Sequence, residues 1–443
     1  MDRRNRAGST KHALKPIILA GAALVVVVGG AALGFHQLDS SKTSASQPTS
    51  TASGATTSGA TTSSSSSAGP TTTVGSNQST STFGAVPAGF YPSSATFVSA
   101  TDAFALGGVP CSSSTTGWCA ELASSTDTGA TWTAATLSGI PLDPRFTISK
   151  SSPAANGVST VRFVDQSVGY AFGPALYLTT DGGGSWTQLS VPGISGLGST
   201  EAVRSLEIGG GTATAVVEPT SGTGQSYLIT ARVSSPQSFA VETPPATLSG
   251  SMGYFRNSLG EIVYGLRTSP GAYFRASGSS SWTGLTSPCA TKGIRGVIGS
   301  LYLNGSSEGI VAGCTLGVAA GSSQKEIDLS TDGGSSWRTL AAPPFPGDMS
   351  AVAAGSSSNI SVAAESGASF LYSSTNGGKT WSTFNFGTSP LASGGYPLFD
   401  LGYTSATQAF CILGSPSDAT SGQTQSQMYI STNGGASWSP VTF

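Results

Sequence analysis

Histidine is almost missing from this chain: His12 and His36 are the only two among 443 residues. Everything downstream lacks the side chain that most often serves as a general base near neutral pH or as a zinc ligand, which excludes serine triads and most zinc hydrolases. Charge is scarce as well. Charged residues make up 9% of the chain and the net charge is -2, so no basic surface is offered to a polyanion and nucleic acid is not an expected partner. No Gly-Lys-Ser/Thr loop that would cradle phosphate occurs, and the cysteine spacing does not suggest a metal site. No cofactor is expected. With 60 glycines and 24 prolines, the composition favours turns and strands over long helices.

Long apolar runs are also lacking, with one exception. "PIILAGAALVVVVGGAALGF", residues 16–35, holds twenty residues without a charge, enough as a helix to span the ~30 Å hydrocarbon core. Ahead of it Arg3, Arg4, Arg6, Lys11 and Lys15 stand against Asp2 alone, while the rest of the chain carries fourteen cations against twenty acids. The positive-inside tendency keeps the basic head, residues 1–15, in the cytoplasm and sends the bulk of the chain outward. Residues 16–36 are therefore expected to be a single-pass cell-membrane anchor, the alternative being a cleaved signal peptide. Residues 39–82 contain 27 Ser or Thr among 44 and almost no large apolar side chain. Such a tract cannot offset its chain entropy by burial, so 37–82 reads as a disordered stalk with a reach of about 35 Å.

Residues 83–443 repeat themselves. "STDTGATW" at 125–132, "TTDGGGSW" at 179–186, "STDGGSSW" at 330–337, "STNGGKTW" at 374–381 and "STNGGASW" at 431–438 are copies of one box, and "RASGSSSW" at 275–282 is a degenerate sixth. Six of the seven tryptophans close such a box. Successive closing tryptophans are 54, 96, 55, 44 and 57 residues apart, and the long gap splits into 53 and 43 if Phe239 replaces a lost Trp. Runs such as "TVRFVDQSVGYAFGPALYLTTDGGGSW" place two alternating strands, a turn and a third strand ahead of the box, with a fourth strand after the Trp. The expectation is an all-β fold, a β-propeller of seven four-stranded antiparallel blades, or of six if the boxless unit is not a blade.

The box letters have a structural reading. Asp127, Asp181, Asp332, Asn376 and Asn433 supply an oxygen for unpaired backbone N–H groups, and Gly129, Gly183, Gly278, Gly334, Gly378 and Gly435 supply positive φ. Trp132, Trp186, Trp282, Trp337, Trp381 and Trp438 each offer an apolar face to a neighbouring blade. Asn at two sites shows that the oxygen matters and the charge does not. That is a turn brace, not an acid catalyst, and no catalytic residue is assigned. Outside the cytoplasm Cys111 and Cys119, which bracket a short polar loop, are expected to pair, as are Cys289 and Cys314; Cys411 is left as a buried thiol.

These boxes resemble the Asp-box, or BNR, repeat found in β-propellers of sialidases, some other glycoside hydrolases, sortilin-type receptors and the photosystem II assembly-factor family. Units such as "VRFVDQSVGYAFG…LYLTTDGGGSW" look most like the assembly-factor type. The sialidase resemblance implies three arginines for the substrate carboxylate, a Tyr nucleophile paired with Glu, an Asp acid, and Phe-Arg-Ile-Pro before the first box. That stretch is absent, "DPRFTI" at 143–148 follows the first box, and Arg145, Arg162, Arg204, Arg232, Arg256, Arg267, Arg275, Arg295 and Arg338 are scattered. The acids outside the boxes that a two-carboxylate glycosidase would draw on are Asp102, Asp165, Glu201, Glu207, Glu261, Glu308 and Asp400. The expected function is non-catalytic: a membrane-anchored, extracytoplasmic binding or assembly module for a protein or glycan partner. The alternative is an exo-acting glycoside hydrolase of sialidase type.

Overall fold

The computed structural model describes residues 82–443 apart from 113–117, 143–155, 222–223, 243–244, 246–251, 258–259, 266–271, 286–300, 307, 320, 367, 387–397 and 416–424. The basic head, the apolar run at 16–36, nearly all of the Ser/Thr tract and Cys289 lie outside the described residues. No helix among the described residues is long and apolar enough to cross a membrane.

Seven antiparallel sheets follow one another along the chain, each pairing its strands in sequence order. Blade three shows the pattern: Glu201–Gly209, Thr212–Pro219, Tyr227–Arg232 and Ala240–Glu242 pair through Glu207 with Thr214, Val216 with Leu228 and Ile229 with Val241. This is the unit without a recognisable box. It is a full blade, so the ring has seven. Blade one carries a fifth strand, Gly84–Ala85, added to the outer edge of Thr133–Pro141.

The first strands of the blades, Tyr91–Phe97, Thr160–Phe163, Glu201–Gly209, Met252–Arg256, Leu301–Ser306, Asp348–Ala354 and Leu398–Tyr403, contact one another in cyclic order around the axis. Strands in the middle of a blade are covered on both faces by neighbouring blades. Apolar and small residues therefore run continuously instead of alternating, and every position of Gly169–Phe172 and Leu176–Thr179 is buried.

One apolar cluster fills each seam, and the aromatic residue closing a unit sits in the cluster between its own blade and the preceding one. Trp186 packs with Leu122 and Phe163 between blades one and two, and Trp438 with Leu371 and Cys411 between six and seven. Trp282, Trp337 and Trp381 line the seams three–four, four–five and five–six. Phe239 takes this place between blades two and three, its ring edge-on to Tyr170 at 5.6 Å. A seam without a closing aromatic would hold a void, which explains why a blade can lose its box and still keep an aromatic residue there.

The ring closes by side chains. Among the described residues no strand is exchanged between the first and last blades; Phe97 stacks on Phe410 at 5.8 Å, Trp132 contacts the terminal Phe443 at 4.8 Å, and Ser426 Oγ donates to Pro92 O at 2.7 Å.

Candidate functional site

The boxes form the turns between third and fourth strands, and all lie at one end of the propeller. In blade one Ser125 Oγ donates to Asp127 Oδ1 at 2.8 Å and accepts the N–H of Gly129 at 2.9 Å; Asp127 Oδ1 accepts the N–H of Thr131 at 2.9 Å and Oδ2 accepts its hydroxyl at 2.6 Å. Asp181 and Asp332 repeat every one of these bonds with Thr179 and Ser185, and with Ser330 and Ser336. Asn376 and Asn433 keep the backbone bonds, and their amides donate to Thr380 and Ser437 at 2.7 and 2.8 Å. The reversal is possible because a hydroxyl both donates and accepts. Gly378, at φ +72°, also lies so close to Leu340 of the preceding blade that a Cβ would come within 2.6 Å of its Cδ1. Hydrogen bonds from Thr131 and Ser336, hydroxyl before backbone, hold the Asp127 and Asp332 carboxyls down at about 2.

The fourth unit is built differently. Ser277 stands where the acid would be, and the turn closes through Ser279 N–H to Ala276 O at 2.9 Å around Gly278 at φ +78°. Arg275, in place of the first Ser or Thr, lies over the Trp282 ring, 4.5 Å from its centroid. Cys111 and Cys119 are joined by a disulfide at the far end of blade one's second hairpin, and Cys411 is a buried free thiol. The partner expected for Cys314 lies outside the described residues.

Of the seven acids named outside the boxes, Glu201 opens the first strand of blade three with one buried carboxylate oxygen lacking a hydrogen bond among the described residues, and the other six divide into two groups. Asp102 accepts from Ser99 Oγ, Asp165 from the N–H groups of Ser167 and Val168, and Glu308 from the N–H and hydroxyl of Ser357, all as turn braces. Glu207, Glu261 and Asp400 are buried on strands. Asp400 accepts the N–H of Ala95 and lies 3.7 Å from Arg162, whose guanidinium also donates to Ser94 Oγ and Val161 O. Glu207 faces this pair from blade three with no hydrogen bond to either carboxylate oxygen, and burial pushes its carboxyl well up. Arg204 pairs with Glu218, while Arg256 and Arg275 pair with Glu261, which also accepts the Tyr254 hydroxyl. Arg275 holds Glu242 as well. A Tyr–Glu pair and arginines are thus brought together, but Tyr254 is fully buried and each of these arginines already meets a carboxylate. The arrangement links strands; none of these four guanidiniums is free for a substrate, while Arg145, Arg267 and Arg295 lie outside the described residues.

The most unusual surface lies at the end remote from the boxes, where the chain crosses from the fourth strand of blade five to the first strand of blade six. Its "PPFPG" stretch carries Phe345 at 56% exposure, flanked by Pro344 and Pro346. Beneath it the Lys325 ammonium, itself only 2% exposed, donates to the carbonyls of Pro344, Phe345 and Pro346 at 3.3, 2.8 and 3.0 Å and to Ser323 O at 3.1 Å. Tyr372 Oη donates to Pro346 O from blade six at 2.8 Å. Four carbonyls compensate the buried ammonium for lost water. Burial still pushes it down to about 8, opposed by the charge of Asp348. Asp348 sits directly across the strand pair from Glu365, whose carboxyl burial, helped by the Asp348 charge, pushes up to about 7.

Sequence reading had found neither Asp348 and Glu365 nor Lys325. Each belongs to no repeated motif, and the pairing of the two acids depends on register. The one available signal was Phe between two prolines, a large apolar side chain in a connection that cannot join a strand.

No protein-family model matches the chain, and no curated protein matches it. Among solved structures it is similar to YCF48 bound to D1 peptide, with 17% identity over 80% of this chain and 97% of that one at a TM-score of 0.49. YCF48 from Cyanidioschyzon merolae is 14% identical over 64% of this chain and 85% of its own, with a TM-score of 0.45. A GH74 enzyme of Niastella koreensis is 14% identical over 80% of this chain and 65% of its own, with a TM-score of 0.29.

Proposed function

We propose that this chain is a non-catalytic binding module: an Asp-box propeller held outside the cytoplasm by the apolar segment at 16–36 and the Ser/Thr tether, which docks a protein partner on its rim. The observation that carries the reading is Phe345, exposed on a tip whose three consecutive carbonyls are held by one buried ammonium. Aromatic anchors dominate the energetics of protein interfaces, and an anchor already fixed in place avoids the ordering cost of a mobile loop. The proline rings limit the tip further. The carboxylate partners of Arg162, Arg204, Arg256 and Arg275 argue against sialidase chemistry.

Displayed peptide libraries selected on the full-length chain in nanodiscs test this. Phe345→Ala should weaken the selected peptides by roughly tenfold or more with an unchanged melting temperature, while Val241→Ala, at the other exposed large apolar residue among the described residues, should not. Peptides that bind Phe345→Ala as tightly as the parent chain would remove the reading.

A second reading has one feature in its favour. Glu365, held near 7 across the strand pair from Asp348, has the protonation of a general acid with a second carboxyl group beside it. A panel of neutral chromogenic glycosides decides it: turnover lost in Glu365→Gln would make the protein a glycoside hydrolase.

A further inference from the structure

The unit that departs from the box also opens a space. Between the fourth strand of blade four and the box turn of blade five lies a cavity of about 390 Å³, with Phe274 and Leu285 as its apolar floor and Ser279, Ser281, Thr283 and Ser335 along its sides. No charged side chain among the described residues lines it. Its size falls in the range of small-ligand sites, and its surface is more polar than apolar, with hydroxyls placed around two apolar side chains.

The hydroxyl of Ser281 sets this place apart. Thr131, Ser185, Ser336, Thr380 and Ser437 occupy the same position in the five regular boxes, and there each hydroxyl is bonded to the box Asp or Asn at 2.6 to 2.8 Å. In unit four Ser277 replaces that acid. The Ser281 N–H is held by Ser279 Oγ at 3.1 Å, and the Ser281 hydroxyl has no partner among the described residues. The neighbouring Arg275 does not supply charge, because Glu242 and Glu261 neutralise it and it lies over Trp282. Four uncharged hydroxyls beside two apolar side chains match a ligand with one apolar face and a rim of hydroxyls; Ser335 Oγ, which donates to Asp332 O at 3.0 Å, would act there as an acceptor. A charged ligand would lose its hydration here without gaining a counter-charge.

We propose that this cavity binds a neutral saccharide, with one ring face over Phe274 and Leu285 and its hydroxyls bonded to Ser281, Thr283 and Ser335. The site is at the box end, opposite the Phe345 tip, and does not depend on the protein-docking reading.

Saturation-transfer NMR on the full-length chain in nanodiscs, with glucose, galactose, mannose, maltose and cellobiose as probes, provides the test. At least one sugar should receive saturation at millimolar concentration. Thr283→Phe, which fills the cavity from the strand position paired with Phe274 on the cavity's face of the sheet, should abolish it with the melting temperature unchanged. Ser277→Asp restores the box acid, engages the Ser281 hydroxyl and should weaken the sugar roughly tenfold while raising the melting temperature. No saturation from any of the five sugars on folded protein would overturn the proposal, and so would transfer that survives Thr283→Phe. Unchanged sugar binding in a Ser277→Asp chain of raised melting temperature would overturn the role given to Ser281.

Discussion

Asp400 in the last blade lies 3.7 Å from Arg162 in the second and accepts the N–H of Ala95 in the first at 2.9 Å, so one carboxylate ties three blades across the point where the ring closes. Asp400→Ala should cost about 3 to 5 kcal/mol, because it leaves Arg162 buried without its counter-charge. Replacing both, with Arg162→Met and Asp400→Leu, should cost less than either single change. Denaturant midpoints for the three variants check the order, and a double variant weaker than both singles would show that the pair is not the closing tie.

The boxes predict a pH dependence with a definite sign. Asp127 and Asp332 have folded pKa values of about 2, below the usual carboxylate value, because hydroxyl and backbone donors favour their ionised forms. Their stabilisation is fully present above the unfolded pKa near 4 and is lost as pH falls through about 2. Melting temperature followed from pH 5 to pH 2 should fall more steeply for the parent chain than for the Asp127→Asn, Asp332→Asn double variant. At neutral pH the two should melt close together, since Asn376 and Asn433 make the same backbone bonds.

Glu365 works in the opposite direction. Its folded pKa is raised to about 7 by burial first and the Asp348 charge second, so between about 4.5 and 7 the folded chain binds more protons than the unfolded one, and stability falls as pH rises. Glu365→Gln should match the parent near pH 4.5 and exceed it at pH 8 by roughly 1 to 3 kcal/mol. Parallel melting curves across that range would show that the carboxyl ionises freely.

Lys325 and Phe345 should separate stability from recognition. Lys325→Met leaves up to three carbonyls without a donor, Pro346 O keeping the Tyr372 hydroxyl, and should destabilise by roughly 2 to 4 kcal/mol, with faster proteolytic nicking near Phe345. Phe345→Ala removes an exposed ring and should leave both quantities unchanged. Nicking at the parent rate in Lys325→Met would mean that the flanking prolines alone hold the tip.

Much of the fold was legible from residue order, because a blade is a local object. Its turns are set by letters within one box, as Asp332, Gly334 and Ser336 show. Its seam needs one aromatic residue at a fixed place, and Phe239 marked a blade even where Trp and the box were gone. Short-range geometry repeated at a regular interval implies the ring.

What the ring brings together was a different matter. Ala95 and Asp400 are 305 positions apart, and they meet only because seven rotations return the last blade to the first. Lys325 finds three carbonyls of a later connection, and Asp348 finds Glu365, through strand register and blade stacking, which no single segment encodes. The unpaired hydroxyl of Ser281 illustrates both levels. Its sequence position identified a degenerate box, but only the packing of blade four against blade five decided that a cavity stands beside it. Local letters determined the turns and the strands and left the blade count at six or seven, which the full four-stranded sheet of the boxless unit decided. The closure, the buried charges and the two candidate surfaces were decided by the tertiary structure, since each depends on groups that the chain keeps far apart until the blades stack.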